Sequence, residues 1–139
     1  MLKYNIINSK NINLLKKFIL LNNSKNFRYY CNRDISVIKN HIITLILTKD
    51  DNIIGYGHLD KEENIWLGIC IIEKYRGQGY GKIIINYLID YSIEKKIEKI
   101  YLTVDKNNKI AKNLYEKYNF KLNKDDKINN YYKMVKIFK

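Results

Sequence analysis

The stretch Ile69 to Lys82, ICIIEKYRGQGYGK, sets the strongest constraint on what this chain can fold into. It opens as a strand, Ile69-Cys70-Ile71-Ile72, turns through Glu73-Lys74-Tyr75 and crosses Arg76-Gly77-Gln78-Gly79-Tyr80-Gly81. A long segment with apolar residues at helical spacing follows. Half of the chain's six glycines fall in this loop. Alternating glycines let the backbone approach a ligand closely and aim several N–H groups at one point. With a helix N-terminus behind them, those donors suit an anion, most naturally phosphate. Two stricter phosphate-loop patterns do not fit. A P-loop requires G-x-x-x-x-G-K-S/T, whereas Gly77 to Gly81 is one residue short and Ile83 stands where a hydroxyl would hold magnesium. The dinucleotide fingerprint G-x-G-x-x-G belongs near the start of a βαβ unit, and the spacing here is G-x-G-x-G in mid-chain. A glycine-rich turn without a ligand is the plain alternative.

At 139 residues the chain is the size of one domain with one proper core, and 46% hydrophobic residues suit a globule. No apolar run approaches the roughly 20 residues of a membrane span, and MLKYNIINSKN lacks the basic-then-apolar pattern of a signal peptide. A cytoplasmic protein without membrane contact is expected. The only cysteines, Cys31 and Cys70, have no metal-ligand spacing, so reduced thiols are expected, with neither a disulfide framework nor a metal site. The formal charge of +12 raises the question of nucleic acid. Its texture argues against specific binding: the charge is almost all lysine, spread from Lys3 to Lys139, and Arg28, Arg33 and Arg76 are the only arginines. Scattered lysines still favour polyanions non-specifically.

Taken in order, Leu2 to Asn8 reads as a strand, with Ser9 or Asn11 as helix caps. Ile12, Leu15, Phe18 and Ile19 predict a helix from Asn11 to Leu21. Asn22 to Asp34 has no clean periodicity; its Phe27, Arg28, Tyr29 and Tyr30 could line an acceptor pocket or simply pack on the core. A short helix, Asp34 to Asn40, follows with Ile35 and Ile38 inward. His41 to Lys49, Ile53 to Asp60 and Ile65 to Ile72 predict an antiparallel meander, turning at Asp50-Asp51-Asn52 and at Lys61 to Asn64. In its second strand Gly55 and Gly57 share one face, and Tyr56, His58 and Asp60 the other. A helix from Gly79 to Lys95 leads to the strand Lys99 to Asp105, parallel to Ile65–Ile72 because a crossover helix joins them. Asn107-Asn108 opens a last helix with Ile110, Leu114 and Tyr118 on one stripe and Ala111 and Tyr115 on another. Asn119 ends it in the left-handed conformation that Asn tolerates. Strands Phe120 to Asn123 and Tyr131 to Phe138 flank a polar turn, Lys124 to Asn130.

Trp66 to Leu122 resembles the core of the GNAT superfamily of N-acetyltransferases. The superfamily's acyl-CoA signature, Q/R-x-x-G-x-G/A, is matched by Arg76-Gly77-Gln78-Gly79-Tyr80-Gly81, directly after a strand. The later pattern N-x-x-A-x-x-L-Y-x-x-x-x-F is matched by Asn108, Ala111, Leu114, Tyr115 and Phe120. The first half fits only at the level of topology. The resemblance implies an α+β fold for residues 1–139 as one domain: a central mixed, mostly antiparallel sheet, splayed between the fourth and fifth strands and flanked by about four helices. It also implies acetyl-CoA as co-substrate. Pantetheine would pair with Ile69, Cys70 and Ile71, and pyrophosphate would sit on the backbone from Gly77 through Gln78, Gly79, Tyr80 and Gly81 to Lys82, with Arg76 and Lys82 adding charge. Asn108 would contact the cofactor and Tyr115 would lie near its sulfur. Asn119 stands where many members have glycine.

The implied reaction is direct attack of a primary amine, on a small molecule or a peptide or protein, on the thioester. Tyr115 is the candidate acid, or else one packing aromatic among thirteen tyrosines. The base is less defined. Some members carry glutamate where this chain has Thr103. His58, Asp60, Glu62, Glu63 and Glu73 are candidates with the ordinary alternative of surface residues, and His58 leads them. Cys70 reads as a small apolar strand residue rather than an acylated nucleophile. Two other functions stay open: an acyl-CoA-binding sensor or scaffold without turnover, and a tRNA-directed acetyltransferase toxin. A homodimer is also open, since dimers are frequent in the family.

Overall fold

The computed structural model describes residues 1–22, 34–123 and 130–138. Seven strands form one sheet in the order β1-β2-β3-β4-β5-β7-β6. They are β1 (Leu2–Ile6), β2 (His41–Lys49), β3 (Asn52–Lys61), β4 (Ile65–Ile71), β5 (Lys99–Asp105), β6 (Lys121–Leu122) and β7 (Tyr131–Ile137). Three α-helices, α1 (Ile12–Leu21), α2 (Tyr80–Glu94) and α3 (Lys109–Lys117), are joined by 3-10 helices at Ile35–Asn40 and Glu73–Tyr75. Every neighbouring pair is antiparallel except β4 and β5, the mixed α+β arrangement expected.

The meander turns where local chemistry permits. Between β2 and β3, Asp50 and Asp51 take φ of 50° and 67°, the double left-handed geometry of a two-residue hairpin. β3 is central and buried from Ile53 to Asp60. On its α2 face a Cβ at Gly57 would lie 2.6 Å from Ile84 Cγ2, so glycine there lets the helix approach the sheet. The core beneath α2 and α3 includes Leu45, Leu59, Ile84, Leu88, Ile100, Leu102 and Phe120. A second cluster lies under α1, with Leu15 and Phe18 fully buried against Ile46, Tyr56 and Cys70. Each such side chain contributes about 1.5–3 kcal/mol on leaving water, which pins the helix.

Several local expectations change. Asn11 does not cap α1 through its side chain; its Oδ1 accepts from the Asn8 N–H and its Nδ2 donates to the Ile6 carbonyl, bracing the turn before the helix. Ile35–Asn40 is a 3-10 helix, with Ile35 and Ile38 half-buried against the α1 cluster. Ile110 is 86% exposed and drops out of its stripe, whereas Leu114 is half-buried and Tyr118 packs on the core; Tyr115 is the helix's buried residue. The strand expected over Phe120 to Asn123 shortens to Lys121–Leu122. Asn119, at φ 68°, does end α3 in the left-handed region. Phe27 to Tyr30, Cys31 and most of the turn Lys124 to Asn130 lie outside the described residues. Among the described residues, no helix is long and apolar enough to cross a membrane.

Candidate active site

The parallel join between β4 and β5 organises the site. Trp66 opposite Tyr101 is its one registered pair, whereas β4 pairs with β3 along its whole length. Beyond that pair no further register joins β4 to β5, so the two strands part from Gly68 onward and leave a gap between them. An extended amide-bearing ligand such as pantetheine is the kind of group that could lie along such a parting. Arg76 Nε donates to the Ile71 carbonyl at 3.1 Å, which sets the guanidinium at the end of that gap.

The loop after β4 is built by glycine geometry. Gly77 and Gly79 have φ of 78° and 87°, and a Cβ at either would meet nothing within 4 Å. Their backbone conformation, not crowding, calls for glycine, and it leaves the approach open. Gly79 is the N-cap of α2 and supplies no side-chain cap, so the first N–H groups of the helix have no intrahelical acceptor. At Gly81 an added Cβ would make only ordinary contact with Leu114, at 3.5 Å. A ligand close to the helix start gives glycine a reason there that the protein's own packing does not. Lys82 and Gln78 are exposed, whereas the Tyr80 ring is buried and its hydroxyl accepts from Lys49 Nζ at 3.4 Å. Tyr80 can thus offer a ligand only its backbone.

Across the gap, Asn108 caps α3, its Oδ1 accepting from the Ala111 N–H at 3.1 Å, which leaves its NH2 as the group that could reach a cofactor. Two turns further on, Tyr115 is buried and meets Phe120 edge-on at 5.8 Å. Burial pushes its phenol up to about 12, and the nearby Cys70 adds to the rise. The phenol therefore stays protonated and keeps an O–H to donate. Cys70, on β4, is buried in the α1 cluster and lies 3.4 Å from Asn22 Oδ1, while Ile69 and Ile71 are half-buried against the opposite core.

His58 departs from the expectation of a surface residue, as does Asp60: each is only 3% exposed. β3 is covered on both faces, and strand alternation alone cannot reveal the second cover. The His58 Nδ1 lies 2.6 Å from the Tyr56 hydroxyl, and its ring lies 4.5 Å from that of His41. His41 Nδ1 in turn is 2.6 Å from Thr44 Oγ1. The opposite edge of the ring rests on β4, where a Cβ at Gly68 would lie 2.5 Å from His58 Nε2. Gly68 was missed by sequence reasoning, although a glycine inside a strand commonly marks such a close approach. Glu62, Glu63 and Glu73 are exposed, and Thr103 is exposed on β5.

Comparison with known proteins places the chain in a family. The model of the acetyltransferase (GNAT) family fits residues 13–120. The chain belongs to the acetyltransferase (GNAT) family. It is 35% identical over 83 residues to spermine/spermidine N(1)-acetyltransferase of Bacillus subtilis, covering 58% of this chain and 55% of that protein. It is 34% identical over 92 residues to the [ribosomal protein bS18]-alanine N-acetyltransferase of Haemophilus influenzae, covering 65% and 61%. The chain thus spans somewhat over half the length of these curated GNAT relatives. Arabidopsis thaliana Naa50, solved in complex with the bisubstrate analogue CoA-Ac-MVNAL, shares the GNAT fold at a TM-score of 0.77 and 21% identity, over 99% of each chain.

Proposed function

We propose that the protein is an acetyl-CoA-dependent N-acetyltransferase that moves an acetyl group directly to a primary amine of a small molecule or protein. The observation carrying this reading is the parting of β4 from β5 after a single registered pair, leading into two left-handed glycines with open space above them. Family membership supports it, as do relatives whose names specify amines of both kinds. Acetyl-CoA supplies the activated thioester. Backbone groups of Ile69, Cys70 and Ile71 hold its pantetheine arm. N–H groups from Gly77 to Lys82, with the charges of Arg76 and Lys82, hold its pyrophosphate. A backbone N–H of this strand polarises the thioester carbonyl.

Tyr115 donates to the sulfur as it leaves. With its phenol at about 12 and an ordinary thiol near ~8.5, full proton transfer is uphill, so its contribution is a hydrogen bond to the developing thiolate. His58 is the base candidate. Its Nδ1 is held by Tyr56, and its far edge lies against β4 one residue before the pantetheine segment. Asn108 joins the cofactor contacts from the opposite wall. Cytoplasmic action accords with a co-substrate that cells keep inside.

The test is thiol release from acetyl-CoA across a panel of amines, with product masses. Release that requires an amine, with one acetyl group added to it, is expected. Tight acetyl-CoA binding without amine-dependent release would replace the enzyme by a sensor.

A further inference from the structure

We infer that Trp66, Tyr101, Lys133 and Lys99 form an acceptor shelf that selects amines also carrying a carboxylate. The inference rests on the acetyltransferase reading above and adds the class of acceptor. Trp66 and Tyr101 are the registered pair at the root of the β4–β5 gap, with ring centroids 5.5 Å apart. Both are half-buried. By strand alternation Trp66 shares its face of β4 with Gly68, about 7 Å further along, where the His58 ring rests. Ile100, Leu102 and Val104 take the opposite face of β5 into the α2–α3 core. The shelf and His58 therefore lie on one side of the sheet, where α1 packs chiefly over β2 and β3.

Aromatic faces attract cations, and here two lysines of the chain take that place. Lys133 Nζ lies 5.4 Å from the Trp66 ring centroid and 5.2 Å from that of Tyr101. Lys99 Nζ lies 5.8 Å from the Tyr101 centroid. Among the described residues neither ammonium is in an ion pair. Asp60, opposite Trp66, is buried and already engaged, and Asp105 at the end of β5, half-buried, is engaged as well. A polyamine arriving here meets like charge on rings already occupied. A carboxylate meets two ammonium groups, one of them positioned over a pair of rings and so less costly to order.

The test is calorimetric binding with CoA present, which reads the shelf whether or not transfer follows; thioester cleavage in the same mixtures reads the activity separately. The probes are β-alanine against its amide, the peptide Ala-Asp-Ala-amide against Ala-Asn-Ala-amide, and spermidine. The carboxylate member of at least one pair should bind about tenfold more tightly than its amide and than spermidine. Lys133→Met should abolish that ratio while CoA affinity holds, and Lys133→Arg should keep it. A preference limited to β-alanine identifies a small amine as the source, and one limited to the peptide identifies a protein N-terminus. Equal binding within both pairs, tighter binding of spermidine, or a Lys133→Arg protein behaving like Lys133→Met would overturn the inference.

Discussion

Tyr115 keeps its proton because burial penalises the phenolate, and the same penalty links it to stability. Its folded value, about 12, lies above the unfolded 10.0, so the contribution is complete below pH 10 and lost as pH rises towards 12. Relative to Tyr115→Phe, the protein should lose about 2–3 kcal/mol across that interval, measured by urea unfolding at successive pH values. A parallel decline in both proteins would remove the phenol as the cause. The same variant should lower kcat about a hundredfold with CoA affinity retained. Gly68 makes a different demand. A methyl group there would displace the buried His58 ring, so Gly68→Ala should destabilise by about 1–3 kcal/mol and move the His58 imidazole resonances. Unchanged resonances would show that the ring does not rest on β4. These two residues also mark how far sequence reading reaches. Tyr115 belonged to a motif and could be named, whereas His58 took its setting from Gly68, Tyr56 and His41 on three strands.

Among the elements, the passage from β4 through the glycine loop to α2 was legible because its requirements are local. A strand, two left-handed glycines and a helix start are all properties of consecutive residues. The hairpin at Asp50-Asp51 and the stop at Asn119 were legible for the same reason. The buried polar face of β3 was not, since the cover over Tyr56, His58 and Asp60 comes from distant parts of the chain. Gly79→Ala tests the loop directly. Nothing crowds the new methyl, so the only penalty is about 1–2 kcal/mol for holding the left-handed backbone; the free loop escapes it by shifting, and acetyl-CoA, which requires that conformation, should bind about tenfold more weakly. Unaltered affinity would move the pyrophosphate away from this loop.

Over the whole molecule, donor and acceptor occupy different kinds of structure. The proposed donor site follows one continuous segment, Ile69 to Lys82, with α3 facing it across the gap. The proposed acceptor side gathers residues of β3, β4, β5 and β7 on one face, and that grouping has no spacing signal along the chain. The formal charge of +12 is spread over the chain, but two of its lysines stand on a specific aromatic pair. The most direct test of the central claim is amide NMR of the protein titrated with acetyl-CoA. The account predicts saturable shifts concentrated at Ile69–Ile71 and Gly77–Lys82, with Asn108 and Tyr115 responding across the gap. Shifts centred elsewhere, or none at saturating acetyl-CoA, would contradict it.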